Sequence, residues 1–382
     1  MSDAATPRIA FAVGSCRYPA GLIDREPAEA SYRRLADLIE GRGITGTVPQ
    51  YLFLLGDQVY VDATAGLFDP TTRFDRYIRP HQRLFQPGVF HDRILQVLPP
   101  YTMLDDHEIE DNWEPIAGEP ASRDAMIEGR RAYFRYQRDE MSGPARVPPA
   151  GDSRQPVWYT RTVGGFPFFV ADTRTERTPR SAGGIEDARI MSRSQFQALL
   201  DWLAAQPADL PKFVASPSIL LPRRLRATRG GHPAAALHSD AWDGFPGSLH
   251  ALLAHIADVP VRHVVFLSGD EHLSCVAAAD LYRNGAARTR IHSVHSSPLY
   301  APFPFANSAP ADLAFERRAF SFKGGQGAYR CAVGKADFAS IGDGFAVLDV
   351  SPGARGGWNV SCEFQRAGRP ADAPPELIRF VA

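Results

Sequence analysis

The chain has 382 residues, 44% of them hydrophobic and 22% charged, with a formal net charge of −1. That length can bury a large core, and the balanced charge argues against a general nucleic-acid binder, which carries a basic excess. No apolar run reaches the ~18 residues of a membrane span, so no membrane partner is expected. The opening stretch MSDAATPRIAFAVGSC has no basic leader and runs straight into a strand-like segment. Cys16, Cys275, Cys331 and Cys362 are scattered rather than spaced as a disulfide framework, so a reducing cytoplasm is the expected location.

Residues 8–16 alternate Ile9, Phe11 and Val13, a strand period. A helix is expected over 27–40, then a fully apolar strand from 51 that breaks at Gly56. A second helix is expected over about 122–140, followed by a strand at 166–174. Over 192–206, Phe196, Leu199, Leu200 and Leu203 fall on one helical face, with Ser192 and Gln195 spaced as a capping box. Strands follow at 211–218, 262–272 and 290–298, and a hairpin pairs 344–350 with 360–366. Two long Pro/Gly-rich loops remain, 142–157 and 298–328; the second, with Tyr300, Phe303 and Phe305, is expected to cover a site. With no repeat and no composition break, residues 1–382 read as one α/β domain.

The strand ends carry the chemistry. The segment MLDDHEIEDNW (103–113) runs from apolar residues into Asp105, Asp106, His107, Glu108, Glu110 and Asp111. Like charges about 4 Å apart repel by roughly 4 kcal/mol at an effective dielectric near 20. Other strands end at Cys16, at Asp57 with Tyr60, at Asp172 with Arg174, and at Asp270 with His272. In α/β proteins ligands bind beyond the carboxyl ends of strands. Multivalent cations would hold such a set together, and paired cations activate water for in-line displacement at phosphorus.

In this order, VGSC, LLGDQVY, LDDHEIEDNW, VADTRTER, AWDGFP and LSGDEH resemble the alkaline phosphatase D (PhoD-like) metallophosphatases over about residues 10–300. The resemblance implies a four-layer α/β/β/α metallophosphoesterase sandwich. It also implies Fe(III) with Ca(II), and hydrolysis of a small phosphomonoester or phosphodiester by a metal-bound hydroxide. Position by position it implies Asp57 as the bridging ligand, Cys16 and Tyr60 as thiolate and phenolate on iron, and Asp106, Asp270 and His272 as further ligands. Asn112 stands where a double asparagine is common, and is carried as a ligand on that ground. His107 would protonate the leaving group. Arg174 would bind phosphate oxygens and stabilise the transition state, or else pair with Asp172. Thiolate and phenolate suit a trivalent iron, and carboxylates suit calcium. Where many relatives carry an export signal and an N-terminal β-sandwich, this chain begins at the catalytic strand, so periplasmic phosphate scavenging and the substrates of secreted relatives are not expected of it.

The alternative in class is a non-catalytic, metal-stabilised binding protein; His107 discriminates, since a structural metal needs no proton donor beside it. Arg223, Arg224, Arg226 and Arg229 either steer an anion or lie in a solvated loop. Trp242 could be core. His292 and His295 should face opposite sides of a strand, and Cys275 reads as packing. The oligomeric state is not legible.

Overall fold

The computed structural model describes residues 7–19, 24–43, 46–64, 70–141, 155–228, 232–302, 308–314, 318–353, 356–370 and 372–382. Phe303, Phe305, Arg229 and most of the 142–157 loop lie outside these residues. The strands in chain order are β1 (Ile9–Gly14), β2 (Tyr51–Leu54), β3 (Tyr101–Thr102), β4 (Tyr159–Val163), β5 (Phe166–Val170) and β6 (Lys212–Ala215). Then come β7 (Arg223–Arg224), β8 (Val264–Ser268), β9 (Ser274–Arg283), β10 (Ala286–Ser296) and β11 (Leu313–Ala314). The last are β12 (Arg318–Gly324), β13 (Gly327–Phe338), β14 (Gly344–Pro352), β15 (Trp358–Arg366) and β16 (Glu376–Val381).

They form a six-stranded sheet in the order β16-β15-β14-β1-β2-β3 and an eight-stranded sheet in the order β12-β13-β9-β10-β8-β6-β5-β4. Within the first, β1, β2 and β3 are parallel neighbours. Within the second, β5, β6, β8 and β10 are parallel. The antiparallel pairs include the expected hairpin, in which Gly344 faces Arg366.

Alternation along the strands decides which core each residue enters. Ile9, Phe11 and Val13 of β1 join Phe53, Phe166, Phe168, Phe213, Val265 and Leu267 in a core built from both sheets. The intervening Ala12, with Leu52 and Leu54, packs with Tyr32, Leu35 and Ala36 of the helix Arg25–Ile39. On the eight-stranded sheet, Phe169, Val264 and Phe266 pack with Leu199 and Leu203 of the helix Arg193–Ala205 and Leu249, Leu252 and Ile256 of the helix Pro246–Asp258. Strands buried on both faces read as near-continuous apolar runs, which is how β2 and β8 appear in the sequence.

Three local expectations need correction. Ser192 does accept the Gln195 N–H at 3.2 Å. The Gln195 side chain, however, bonds the Asp172 backbone at 2.9 and 3.0 Å instead of closing the capping box, so the helix start is tied to the end of β5. The expected helix over 122–140 is α-helical at Pro120–Ala132 and widens to a π-helical segment, Tyr133–Met141. Within the 298–328 stretch, Arg318–Gly324 is an edge strand paired with β13, and Tyr300 is buried with its hydroxyl on Asp24. Trp242 is fully buried, Cys275 packs with Leu273 and Leu313, and all four cysteines are free thiols.

Phe11, Phe53, Phe168 and Phe213 form one ring cluster, with Phe53 and Phe168 stacked at 4.5 Å. Truncating a buried phenylalanine costs about 3–5 kcal/mol. Phe168→Ala should lose that much in a denaturant titration, whereas exposed Ile341→Ala should stay within about 0.5 kcal/mol.

Candidate metal centre

The carboxyl ends of β1, β2 and β3 meet those of β5 and β8 across the two sheets. Asp57, Asp105, Asp106 and Asp270 each bring an oxygen into one group, all within 4.8 Å of one another. Asp57, Asp105 and Asp106 are buried. Cys16 sits beside them: its thiol donates to Asp57 at 3.3 Å and to the Asp270 carbonyl at 3.7 Å, and it accepts from the Ser297 hydroxyl at 3.0 Å.

The backbone at these ends is strained. Cys16 (φ 55°), Asp57 (55°), Asn112 (53°), Asp270 (80°) and His272 (50°) all occupy the left-handed region. Such residues cost of order 1–3 kcal/mol each and cluster at functional sites. Gly56 precedes Asp57 at φ 97°, and a Cβ there would lie 2.7 Å from the Asp105 Cβ. Only glycine lets the β2 end approach the β3 end that closely.

Burial and mutual repulsion raise the carboxyls. Asp57 and Asp270 are held well above the ordinary carboxylate range, first by burial and then by neighbouring acids. Burial also pushes the Cys16 thiol up to about 12, and raises the Tyr60 phenol. Asp57 Oδ1, Tyr60 Oη, Asp105 Oδ2 and Asp270 Oδ2 are buried without a hydrogen-bond partner. Four orphaned oxygens at one spot, beside a thiol, fit a cation-binding site. The second acidic group, Asp106, His107 and Asp111, adjoins it through Asp106.

The cluster at 105–111 divides its labour. Glu108 is fully buried and accepts the backbone N–H of Gln58 (2.7 Å), Asp57 (3.1 Å), Val59 (3.3 Å) and Asp105 (3.0 Å), plus the Gln137 amide (2.9 Å). It is the knot that ties the β2 turn to the β3 turn. Arg174 is also fully buried, on the end of β5. Its Nε donates to Asp105 at 2.8 Å, and its Nη2 to Asp240 at 3.1 Å and Asp106 at 3.4 Å. Asp172 instead accepts the Arg174 backbone N–H at 3.0 Å, so the alternative of an ion pair between their side chains is not realised. Only Nη1 of Arg174 lacks a partner, which is the one route left for a phosphate contact.

His107 is one-fifth exposed, and its Nδ1 lies 2.8 Å from Asp62 while its Nε2 is 3.8 Å from Asp111. Burial opposes its charge, yet the Asp106 carboxylate and the Asp62 hydrogen bond push it up to about 10. The Tyr60 ring lies 4.0 Å from the imidazole. Asn112 is exposed; its amide donates to Asp111, and its backbone N–H rather than its side chain meets Asp106, at 2.6 Å. His272 is buried beyond Asp270 but is not in the four-carboxylate group.

Sequence reasoning gave no role to Asp62 or Asp240, and none of their own to Asp105 and Glu108. Asp105 and Glu108 stood inside the quoted cluster; Asp62 and Asp240 gave no signal, since each acts on a side chain far along the chain. It also misjudged Arg224, which is no solvated loop residue: it is buried against Glu271 (2.6 Å) and Asp240 (2.8 Å). Arg223 lies 3.6 Å from the Phe320 ring. His292 stacks on Phe380, while His295 meets Ser268 at 2.8 Å.

Comparison with known proteins now decides the family: the model of the PhoD-like phosphatases matches residues 40–319. The chain belongs to the PhoD-like phosphatase family. Asp57, Tyr60, Asp106, His107, Arg174, Asp270 and His272 fall inside that match, and Cys16 precedes it. A solved structure described as "Structure of PhoD" superposes with a TM-score of 0.63 at 17% identity, covering 98% of this chain and 69% of the other. That likeness is one of fold. A second, "GAP50 the anchor in the inner membrane complex of Plasmodium", gives 0.42 at 13% identity, covering 98% and 88%. No curated protein matches the sequence.

The PhoD-like chain thus carries acidic clusters able to coordinate metal, and two substitutions separate ligand from scaffold. Because the Asp57 pKa is raised on folding, its contribution to metal-free stability is lost as pH rises through the folded value. Asp57→Asn should therefore stabilise the metal-free protein at neutral pH by about 2 kcal/mol, relieving a repulsion of that order, and abolish stabilisation by added cation. Glu108→Gln should destabilise it by about 2–3 kcal/mol, because an amide cannot accept all those N–H groups. Chemical denaturation with and without cation reads both.

Proposed function

We propose that the protein is a metal-dependent phosphoric ester hydrolase acting on small phosphomonoesters or phosphodiesters, in one catalytic domain of four-layer α/β/β/α form, working in the cytoplasm. The observation that carries the reading is the set of orphaned, buried oxygens on Asp57, Tyr60, Asp105 and Asp270, backed by Asp106 and the Cys16 thiol. Asp57 accepts from the Cys16 thiol and also belongs to the four-carboxylate group, so it would be the ligand shared by the two cations. Cys16 and Tyr60 would suit Fe(III), and Asp105, Asp106, Asp270 and His272 the partner cation, Ca(II) in this reading. When bound, such cations lower the pKa of water and clamp the oxygens of an in-line displacement at phosphorus.

The chain's own groups supply the rest. His107 holds a proton at neutral pH in the metal-free protein, and Asp62 on Nδ1 orients the ring so that Nε2 is left to protonate the leaving oxygen. Arg174 holds Asp105 and Asp106 apart from one another's charge and offers Nη1 to the phosphoryl oxygens. Ser297 donates its hydroxyl to the sulfur of Cys16 and would steady the thiolate that a bound cation creates. Asp62 and His107 favour an enzyme over a metal-stabilised binding protein, since a structural site has no use for an oriented proton donor.

The test is elemental analysis of the purified protein, its visible spectrum, and hydrolysis of p-nitrophenyl phosphate and bis(p-nitrophenyl) phosphate. Activity should vanish with chelator and in Asp57→Asn. His107→Gln should keep its metal and lose about 10²–10⁴-fold in kcat on alkyl phosphates, with a smaller loss on nitrophenyl esters. Cation-loaded wild type that hydrolyses neither ester would sink the reading.

A further inference from the structure

A cavity of about 550 Å³ opens beside the metal centre, with Tyr60 in its wall. Its floor continues directly from the candidate ligand Cys16. The Arg17 N–H donates to the Asp57 carbonyl at 2.8 Å, and the Tyr18 ring packs edge-on to Tyr60 at 5.0 Å. That volume is of the size that holds an organic group, far more than one phosphate requires.

The charges lining the cavity are unevenly matched. Its one carboxylate among the described residues, Glu29, is held by Arg25 at 2.9 Å and Arg33 at 3.1 Å, and His91 is paired with Asp92 at 2.7 Å. Arg17 and Arg83 have no carboxylate partner among the described residues. Arg17 lies over the Phe90 ring at 4.4 Å and beside the Tyr32 ring at 5.4 Å, and its side chain donates to the Tyr32 hydroxyl, which fixes its plane, while its Nε has no acceptor. A guanidinium pinned on aromatic faces, with an unused donor and no carboxylate on it, is placed to pair with an anion. Arg83 is exposed at the rim, where a neighbouring cavity of about 520 Å³ shares both it and Tyr60.

We propose that this cavity is a subsite for a second anionic group, phosphate or carboxylate, borne on the leaving-group side of the substrate. The proposal rests on the phosphoester reading of the adjoining centre. Arg17 holds the second anion against the aromatic wall, and Arg83 draws it in from the rim. The preferred substrate is then an ester whose alcohol carries its own negative charge, and a plain alkyl ester leaves the subsite empty.

The experiment uses metal-loaded protein and a series of carboxyalkylphosphonates with two to four methylenes, each set against the matching alkylphosphonate as an inhibitor of ester hydrolysis. In wild type, the best carboxylate-bearing member should inhibit about tenfold more tightly than its plain counterpart, a typical gain from one charge-assisted pair. That ratio should fall to near unity in Arg17→Gln and in Arg83→Gln; the exposed position of Arg83 makes its variant the safer one to fold. Equal inhibition by both members in wild type overturns the subsite and leaves the phosphoester site standing. A carboxylate advantage that survives in both variants also overturns it, by putting the recognition elsewhere. If the metal-loaded protein hydrolyses no ester, the phosphoester reading fails first and the subsite falls with it, whereas hydrolysis that no phosphonate inhibits overturns the subsite alone.

Discussion

Mutual repulsion among buried carboxylates is the constraint around which the structure is arranged. Asp57, Asp105, Asp106, Asp240, Asp270 and Glu271 are gathered at one edge of two sheets, and the guanidinium groups of Arg174, Arg177 and Arg224 do not match them in number. The arginines serve the far side of the cluster. Asp240, set between Arg174 and Arg224, is held far below the ordinary carboxylate range despite its burial. Asp57 has no arginine on it and Asp270 only a long contact with Arg224 at 3.9 Å, and both stay raised. The remaining negative charge is therefore concentrated where the orphaned oxygens lie, and a cation is the neutralising group that this geometry accepts.

Holding that arrangement takes rigidity from elsewhere in the chain. The left-handed turns at Cys16, Asp57, Asp270 and His272 persist because strands buried on both faces anchor them. Glu108 adds a second anchor, satisfying four backbone donors of two turns with one side chain. In a sequence it looks like one more acid in a crowd. In the fold it is a bracket, and the nearby acids can face inward because it faces the backbone.

Much of this was legible in the residues. The apolar runs that became β1, β2, β5, β6 and β8, the strand-end positions of Asp57 and Asp270, and the face of the helix Arg193–Ala205 all follow from local pattern. What escaped was pairing between distant segments. Asp62 against His107, Arg174 against Asp240, and Arg224 against Glu271 are set by how the sheets meet, and no spacing rule encodes them. Arg224 shows the cost: a run of arginines after a strand looks solvated until the acids that bury it are known. The 298–328 stretch misled for a related reason, since Arg318–Gly324 becomes a strand only by adding to the edge at β13.

The split origin of the site has a further consequence. Cys16, Asp57 and Asp106 come from the six-stranded sheet and Asp270 from the eight-stranded one, so no half of the chain can assemble the donor set alone. Closing contacts between residues so far apart in sequence is entropically slow and comes after local structure. A cation taken up there would bind late in maturation and act as a seal, since an ion held between the sheets would resist their sliding or parting. A newly made chain that retained such an ion would, by that fact, have docked its two sheets in register.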